Sequence, residues 1–241
     1  MKILMIGSPC NIGCNLKKGL EERGHSVTLV GDNSVFNDSP PDFLIRWKDI
    51  FQKKYGNDFD IVHIHSPNLK KLLLVFAYLR KSKLFCHWHG SDLRMWTKTF
   101  PVKKLFLRIS DANIYSTCDL GWWIRKSLKR HIWCPVDTDV FKLNNERGVD
   151  EITFDGGGKS FDDHHIEHAD MPEYLSGYAS ADIHNAFGLD DGLMSVIALE
   201  CLSCGLKVNQ FPLLNREWVV NNASVPVVAK RIEDFYYEVL K

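Results

Sequence analysis

Asp190-Asp191-Gly192-Leu193-Met194-Ser195-Val196-Ile197-Ala198-Leu199-Glu200-Cys201-Leu202-Ser203-Cys204-Gly205-Leu206-Lys207-Val208 is the stretch whose reading decides the fold. A polar, glycine-containing loop enters a short apolar helix, and Gly205 closes that helix as a left-handed cap. A strand from Leu206 to Asn209 follows at once. In an open α/β sheet, ligands sit at the strand ends beside helix N-termini. A helix starting near Met194 offers free N–H groups to an anion such as a diphosphate. Glu200 lies about one and a half turns inside this otherwise apolar segment. A buried carboxylate needs a partner, and ribose hydroxyls are one such partner. The plain alternative is an amphipathic helix with a glutamate at its rim.

Working outward, the 241 residues suffice for one large or two small domains with a real core. Lys+Arg and Asp+Glu both number 30, so no net charge drives nucleic-acid binding, and no nucleic-acid partner is expected. Met1 to Gly7 is too short an apolar run for an export signal and leads directly into a strand–loop–helix unit. With seven cysteines and no export signal, reduced thiols and a cytoplasmic location are expected. The longest apolar run, Leu72 to Leu79, is far below the roughly 20 residues that span a bilayer.

The N-terminal half reads as alternating strands and helices. Lys2 to Ile6 is a buried-type strand, residues 7–15 a tight loop, and Asn15 to Arg23 a helix closed by Gly24. Ser26 to Val30 is the second strand. The loop holding Gly7 and Gly13 is not the full G-x-G-x-x-G fingerprint, so a nicotinamide cofactor is poorly supported. Phe43 to Tyr55 reads as a helix, and residues 60–67 as a strand ending in polar groups. Leu69 to Arg80 is an apolar helix framed by Lys70, Lys71, Arg80 and Lys81. It is either a core helix with solvated ends or a peripheral surface for anionic lipid. Leu84 to Trp88 is a strand leading to His89-Gly90-Ser91-Asp92, where a histidine beside a glycine turn can face a crevice. Helices are expected at Val102 to Arg108 and Asp119 to Lys129, with a strand between them at residues 111–116.

The C-terminal half is more polar at its start. Residues 142–150 form a candidate boundary. Ile152 to Phe154 is a short strand before Asp155-Gly156-Gly157-Gly158-Lys159-Ser160, which can cradle phosphate but lacks Walker A spacing. Asp162-Asp163-His164-His165-Ile166-Glu167-His168 looks like a metal cluster, yet fits no spacing template and reads as a solvated loop or short edge strand. Cys201 and Cys204 form C-x-x-C inside a helix, where core packing is the reading. Asp137-Thr138-Asp139 matches the D-x-D of metal-dependent transferases, a motif common by chance. Asp170 to Glu173 is a helix start, and Asp182 to Asn185 a strand. The chain closes with residues 216–221, a short strand near Val225-Pro226-Val227-Val228 and a helix from Ile232 to Leu240.

Leu199 to Val208 resembles the donor-site segment of retaining glycosyltransferases of family 4, the large GT-B group, whose pattern is roughly Leu-Glu-Ala-Met-Ala-Cys-Gly-x-Pro-Val. Further segments resemble the same family. Asp60 to His65 is similar to its Asp-Val-Val-His-x-His strand, and His89 to Asp92 to its His-Gly-Ser/Thr-Asp turn. Residues 132–141 resemble the segment that links its two domains, and residues 171–183 its Leu-Pro-x-Tyr-Tyr…Ala-Asp-Val run. The chain departs from the pattern where the family's first acidic residue stands eight positions before the second. That position is Gly192 here, with Asp190 and Asp191 the nearest substitutes.

The resemblance implies an α/β GT-B protein, with two Rossmann-like domains whose parallel sheets face a central cleft. Residues 1–141 would be the acceptor-side domain. Residues 142–241 would be a shortened donor domain, with the last helix packing back towards the first. It implies metal-independent, retaining transfer of a sugar from a nucleotide-diphosphate donor to a glycan, lipid or protein acceptor, without a cofactor. Glu200 would hold ribose. Met194 and Ser195 would hold phosphate through backbone N–H groups, with Lys159 the nearest side-chain candidate for the diphosphate. Asp190, Asp191 and Gly192 would line the sugar subsite, with Asp191 and His89 at the transfer point. Gly7, Gly13 and Asp92 would shape the loops on the acceptor side. Two other readings share the fold: a non-catalytic module binding a sugar nucleotide or a protein, and a sugar-nucleotide epimerase.

Overall fold

The computed structural model describes residues 1–31, 43–44, 58–69, 71, 73, 82–90, 93, 100–125, 128–143, 151–154, 160–161, 164–165, 175, 178, 180–183, 196–209 and 211–241. The chain divides into two compact units, residues 1–133 with 229–241, and residues 134–228.

The first unit is built on a seven-stranded parallel sheet. Its strands are β1 (Lys2–Ile6), β2 (Ser26–Gly31), β3 (Phe43–Leu44), β4 (Ile61–His65), β5 (Lys83–Trp88), β6 (Ala112–Tyr115) and β7 (Lys129–His131). Their order is β3-β2-β1-β4-β5-β6-β7, so the topology reverses between β1 and β4. Crevices for ligands form at such reversals, outside the carboxyl ends of the strands. β1, β4 and β5 are buried on both faces almost throughout, as central parallel strands are, and β4 and β5 carry buried histidines among their apolar residues. One face packs Leu4, Ile6, Val62, Ile64, Leu84, Cys86 and Trp88 on Phe106, Leu120 and Ile124. Phe106 comes from the helix Phe100–Ile109.

α1 (Ile12–Glu22) follows β1 after a short loop and a 3-10 turn, Pro9–Asn11. A Cβ on Gly13 would lie 2.7 Å from the Gly7 carbonyl oxygen, so a side chain there would push the helix off the loop. Gly7 has φ +90°, and a Cβ there would meet Lys71 Nζ at 2.6 Å. Close packing thus accounts for both small residues.

The last helix, Val225–Leu240, supplies residues 229–241 to the first unit. Within that unit, Glu233 is held by Arg23 (Nε at 2.7 Å) and by His25 (Nε2 at 2.9 Å). Burial alone would raise the Glu233 carboxyl, but these partners hold it below the usual range.

In the second unit, β8 (Glu151–Phe154), β11 (Ser180–Ile183) and β12 (Lys207–Val208) form a parallel sheet of order β12-β11-β8. β9 (Ser160–Phe161) and β10 (His164–His165) form a short antiparallel pair. The helix Val196–Ser203 ends as the sequence implies, because Gly205 has φ +83°. Leu206 N–H donates to the Cys201 carbonyl at 2.9 Å and Gly205 N–H to that of Leu202 at 3.0 Å. This 6→1 and 5→2 pairing is the Schellman closure.

Three expectations are corrected. The Val225–Val228 run is the first turn of the last helix, not a strand, since a proline at a helix start loses no hydrogen bond and fixes a helical φ. Residues 119–129 are not one helix: a 3-10 turn, Cys118–Trp122, leads to β7 at Lys129. Phe43 and Leu44 pair with Val30 and Gly31 as an edge strand rather than opening a helix.

Candidate functional site

The carboxyl ends of β1, β4, β5 and β6 gather an unusual set of side chains. His63 and His65 alternate along β4 and so share one face. The parallel register sets His65 beside His87 of β5, and His89 stands two residues further along the chain. His63, His65 and His87 are fully buried, and His89 is partly exposed.

The polar atoms of this group bond to one another in sequence. Tyr236 of the last helix meets His63 Nδ1 in a short hydrogen bond. His63 Nε2 faces His87 Nδ1 at 3.2 Å, and His87 Nε2 lies 2.8 Å from Ser116 Oγ. Ser116 Oγ is 3.1 Å from His89 Nδ1, and His89 Nε2 is 2.9 Å from His65 Nδ1. The run stops at His65 Nε2, which is buried without a hydrogen-bond partner among the described residues.

Burial dominates the electrostatics here, because an imidazolium loses its hydration. It pushes His63 and His89 down to about 3, with His63 and Lys71 adding to the effect on His89. Burial, then the neighbouring rings, holds His65 and His87 well below the ordinary imidazole value, with Lys71 contributing at His65. All four rings are therefore neutral near pH 7. Burial also raises the Tyr236 phenol, keeping it protonated.

One ring nitrogen from each of His63, His65 and His87 lies within 4.8 Å of the others, which raises the question of a metal. The His63 and His65 rings stack at 4.6 Å between centroids with planes 17° apart. Near-parallel rings do not aim in-plane lone pairs at one point, as a tetrahedral ion requires. The observed arrangement is a hydrogen-bond chain.

Backbone conformation marks the same strand ends. The described residues include two non-glycine positions with positive φ, Asn11 (58°) and Ser66 (47°). Both lie in loops leaving β1 and β4, and Gly90 after β5 is also left-handed, at 64°. Such conformations cost energy and collect at functional sites. Lys71 is 3 % exposed and donates from Nζ to the carbonyls of His65 (2.7 Å) and Ser66 (3.3 Å). This corrects its sequence reading as a solvated flank or lipid contact: the ammonium clamps the β4 end.

In the second unit, Glu200 is 3 % exposed on the helix Val196–Ser203. Cys201 and Cys204 are buried free thiols, and burial raises the Cys201 thiol, away from thiolate chemistry. Asp137 Oδ1 accepts from the N–H groups of Asp139 (3.1 Å) and Val140 (3.4 Å), so this D-x-D carboxylate closes a turn. Asp92, Lys159, Asp190, Asp191, Gly192, Met194 and Ser195 lie outside the described residues, as do Asp162, Asp163 and residues 166–168.

The structure thus joins Gly7 and His89 at the strand ends of the first unit and adds His63, His65, His87, Ser116, Lys71 and Tyr236. A signal for the histidines stood in the sequence: two H-x-H repeats, at 63–65 and 87–89, each with strand period.

No protein-family model matches the chain, and no curated protein matches it. Among solved structures the chain is similar to the crystal structure of AviGT4, a glycosyltransferase involved in avilamycin A biosynthesis. The TM-score is 0.63 at 12 % identity, over 100 % of this chain and 98 % of that one. At this identity the likeness shows the fold, an α/β architecture of the GT-B type with a Rossmann-like parallel sheet. No helix among the described residues is long and apolar enough to cross a membrane.

Proposed function

We propose that this protein is a glycosyltransferase of the retaining, metal-independent family 4 type, moving a sugar from a nucleotide diphosphate to an acceptor hydroxyl. The anomeric C–O bond to the diphosphate breaks, the acceptor oxygen bonds to the same face of the sugar, and the acceptor's hydroxyl proton leaves with the departing diphosphate. In this reading Glu200 holds ribose, and backbone N–H groups near Met194 and Ser195, with Lys159, hold the leaving diphosphate. Asp190 and Asp191 hold the sugar beside Gly192, and His89 and Asp92 belong to the transfer side. Positioning and stabilisation of the developing diphosphate charge supply most of the rate.

The observation that carries the reading is the donor-type run Leu199–Val208, closed by a left-handed Gly205, in a chain whose fold follows a solved glycosyltransferase almost end to end. The likeness spans 98 % of that chain, so the modest size of the second unit does not argue against turnover. A screen of UDP-, GDP- and ADP-sugars by thermal shift identifies the donor, because ligands that bind the native state raise Tm. Nucleotide release is then measured for wild type and Glu200→Ala. Loss of donor binding in the variant supports the role, whereas unchanged binding and release overturn it.

A non-catalytic binding module is the second reading. It is favoured by His89, both of whose ring nitrogens already face protein partners. Donor binding with neither nucleotide release nor a changed sugar by NMR would select it, and a changed sugar without transfer would select an epimerase.

A further inference from the structure

We propose that Tyr236 sets the tautomer of His65 and His89 from the far end of the hydrogen-bond chain, making it a positioning residue for the histidines at the strand ends. A neutral imidazole has one donor and one acceptor nitrogen. The order Tyr236, His63, His87, Ser116, His89, His65 therefore has two polarities that run unbroken from end to end; a third, with Ser116 accepting from both His87 and His89, leaves the serine hydrogen and His65 Nε2 both unmet and is disfavoured. In the first, the phenol donates to His63 Nδ1, and each later ring donates from Nε2, with Ser116 accepting from His87 and donating to His89. All four histidines then carry hydrogen on Nε2. In the second every bond reverses, and all four carry it on Nδ1.

The ends of the chain decide between them. In the first polarity the phenol proton is used, and one group is left unmet, the His65 Nε2–H. In the second, His65 Nε2 is an unmet acceptor and the Tyr236 hydroxyl has no acceptor among the described residues, since its hydrogen-bond partner there is His63. An unmade bond at a fully buried hydroxyl is costly. The first polarity is therefore preferred by about ten to one or more. Tyr236 also presents its ring edge to His63, with ring centroids 5.9 Å apart, so its packing and its hydroxyl can be separated. The functional meaning of the set tautomer rests on the transfer-site reading above, but the tautomer pattern itself does not.

The test is a two-bond proton–nitrogen correlation spectrum of protein labelled with nitrogen-15 histidine, at neutral pH and without any sugar nucleotide. The wild type is expected to show His63, His65, His87 and His89 protonated on Nε2. Tyr236→Phe keeps the ring but leaves both polarities with equal unmet groups, so all four signals should become mixtures. Ser116→Ala cuts the chain in the middle: His65 and His89 should become mixed while His63 and His87 keep the Nε2–H form. Mixed or Nδ1–H signals in the wild type overturn the proposal. So does a Tyr236→Phe or Ser116→Ala spectrum in which His65 and His89 are unchanged. If Tyr236→Phe fails to fold, Ser116→Ala alone decides the outcome. Failure of the transfer reading would appear separately, as an absence of nucleotide release with these spectra as expected.

Discussion

The two units bury polar side chains in opposite ways. In the first, neutral rings and hydroxyls satisfy one another along a chain that leaves a single buried nitrogen unmet. In the second, one permanent cation satisfies backbone carbonyls. Arg216 donates through Nη2 to Thr138 (3.0 Å) and through Nη1 to Phe141 (2.8 Å) and, in a short bond, to the Ser203 carbonyl. Ser203 Oγ in turn donates to the Phe141 carbonyl at 2.7 Å. A guanidinium stays charged at every ordinary pH, while an imidazole does not. The first network is therefore tuned by protons, while the second is held by a charge that ordinary pH does not remove.

The largest expected effect follows from that contrast. The folded pKa of His63 and His89 lies near 3, below the ordinary 6.5. Between those values the unfolded chain binds more protons, so stability rises with pH. The contribution is complete above pH 6.5 and is lost as pH falls from there towards 3. Each ring is worth up to about 1.4 kcal/mol per pH unit. Allowing for partial exposure of His89, the two together should remove about 3–5 kcal/mol by about pH 4.5. Hydrogen exchange, corrected for its intrinsic pH dependence, should show amides of β4 and β5 losing protection over this range before those of the Val196–Ser203 helix. Equal slopes in both units would erase the contrast.

Arg216→Met is next. It removes the arginine donor from the carbonyls of residues 138 and 203 and leaves the Phe141 carbonyl with Ser203 Oγ alone, and should cost about 2–4 kcal/mol in the second unit, with no pH dependence between 5 and 7. Lysine should recover only part of this, since a point charge cannot span the carbonyls as a planar fork does. Local exchange at residues 137–141 reads it directly. An Arg216→Met loss that grew as pH fell would show that the second network titrates after all.

The sequence was legible where one signal lay in one continuous run. The strands β1 and β5 read from single short runs, β4 from a run that ends in polar groups, and the helix ending at Gly205 from its cap. The strand-end cluster was not legible, because its members come from four separate segments and only sheet register brings His65 beside His87. The two H-x-H repeats carried the period, but nothing local told that β4 and β5 are neighbours. Tyr236 was further out of reach, being about 170 positions from its partner, a separation of 173 residues. The reading of Val225–Val228 failed because β-branched residues favour strands only where a sheet receives them, and here the tertiary context supplies a helix start.

A smaller effect separates close packing from backbone strain within the first unit. Gly13→Ala places a methyl 2.7 Å from the Gly7 carbonyl and 2.9 Å from Ser8 Cβ. It should cost about 1–3 kcal/mol, as overpacking does, and shift the loop that follows β1. Gly24→Ala meets nothing within 4 Å but must hold φ +84°, which costs about 1–2 kcal/mol and should leave that loop unmoved. Denaturation gives the two costs, and amide shifts of residues 7–11 tell them apart. If Gly24→Ala disturbed the loop as strongly, packing would not be what fixes it.

The smallest effect sits on the short helix Arg216–Asn222, whose first residue is the carbonyl clamp. Asn215 is extended, with φ −147°, and its Oδ1 accepts from Trp218 N–H at 3.0 Å. That is N-cap geometry, so Asn215→Ala should cost about 1 kcal/mol, while Asn215→Asp should cost little. A helix of seven residues has little stability of its own, so fraying at this cap should also loosen Arg216 and lower exchange protection at residues 137–141. If the cap were removed and those amides stayed protected, the guanidinium would be anchored by the carbonyls alone, and the helix would be following the network rather than presenting it.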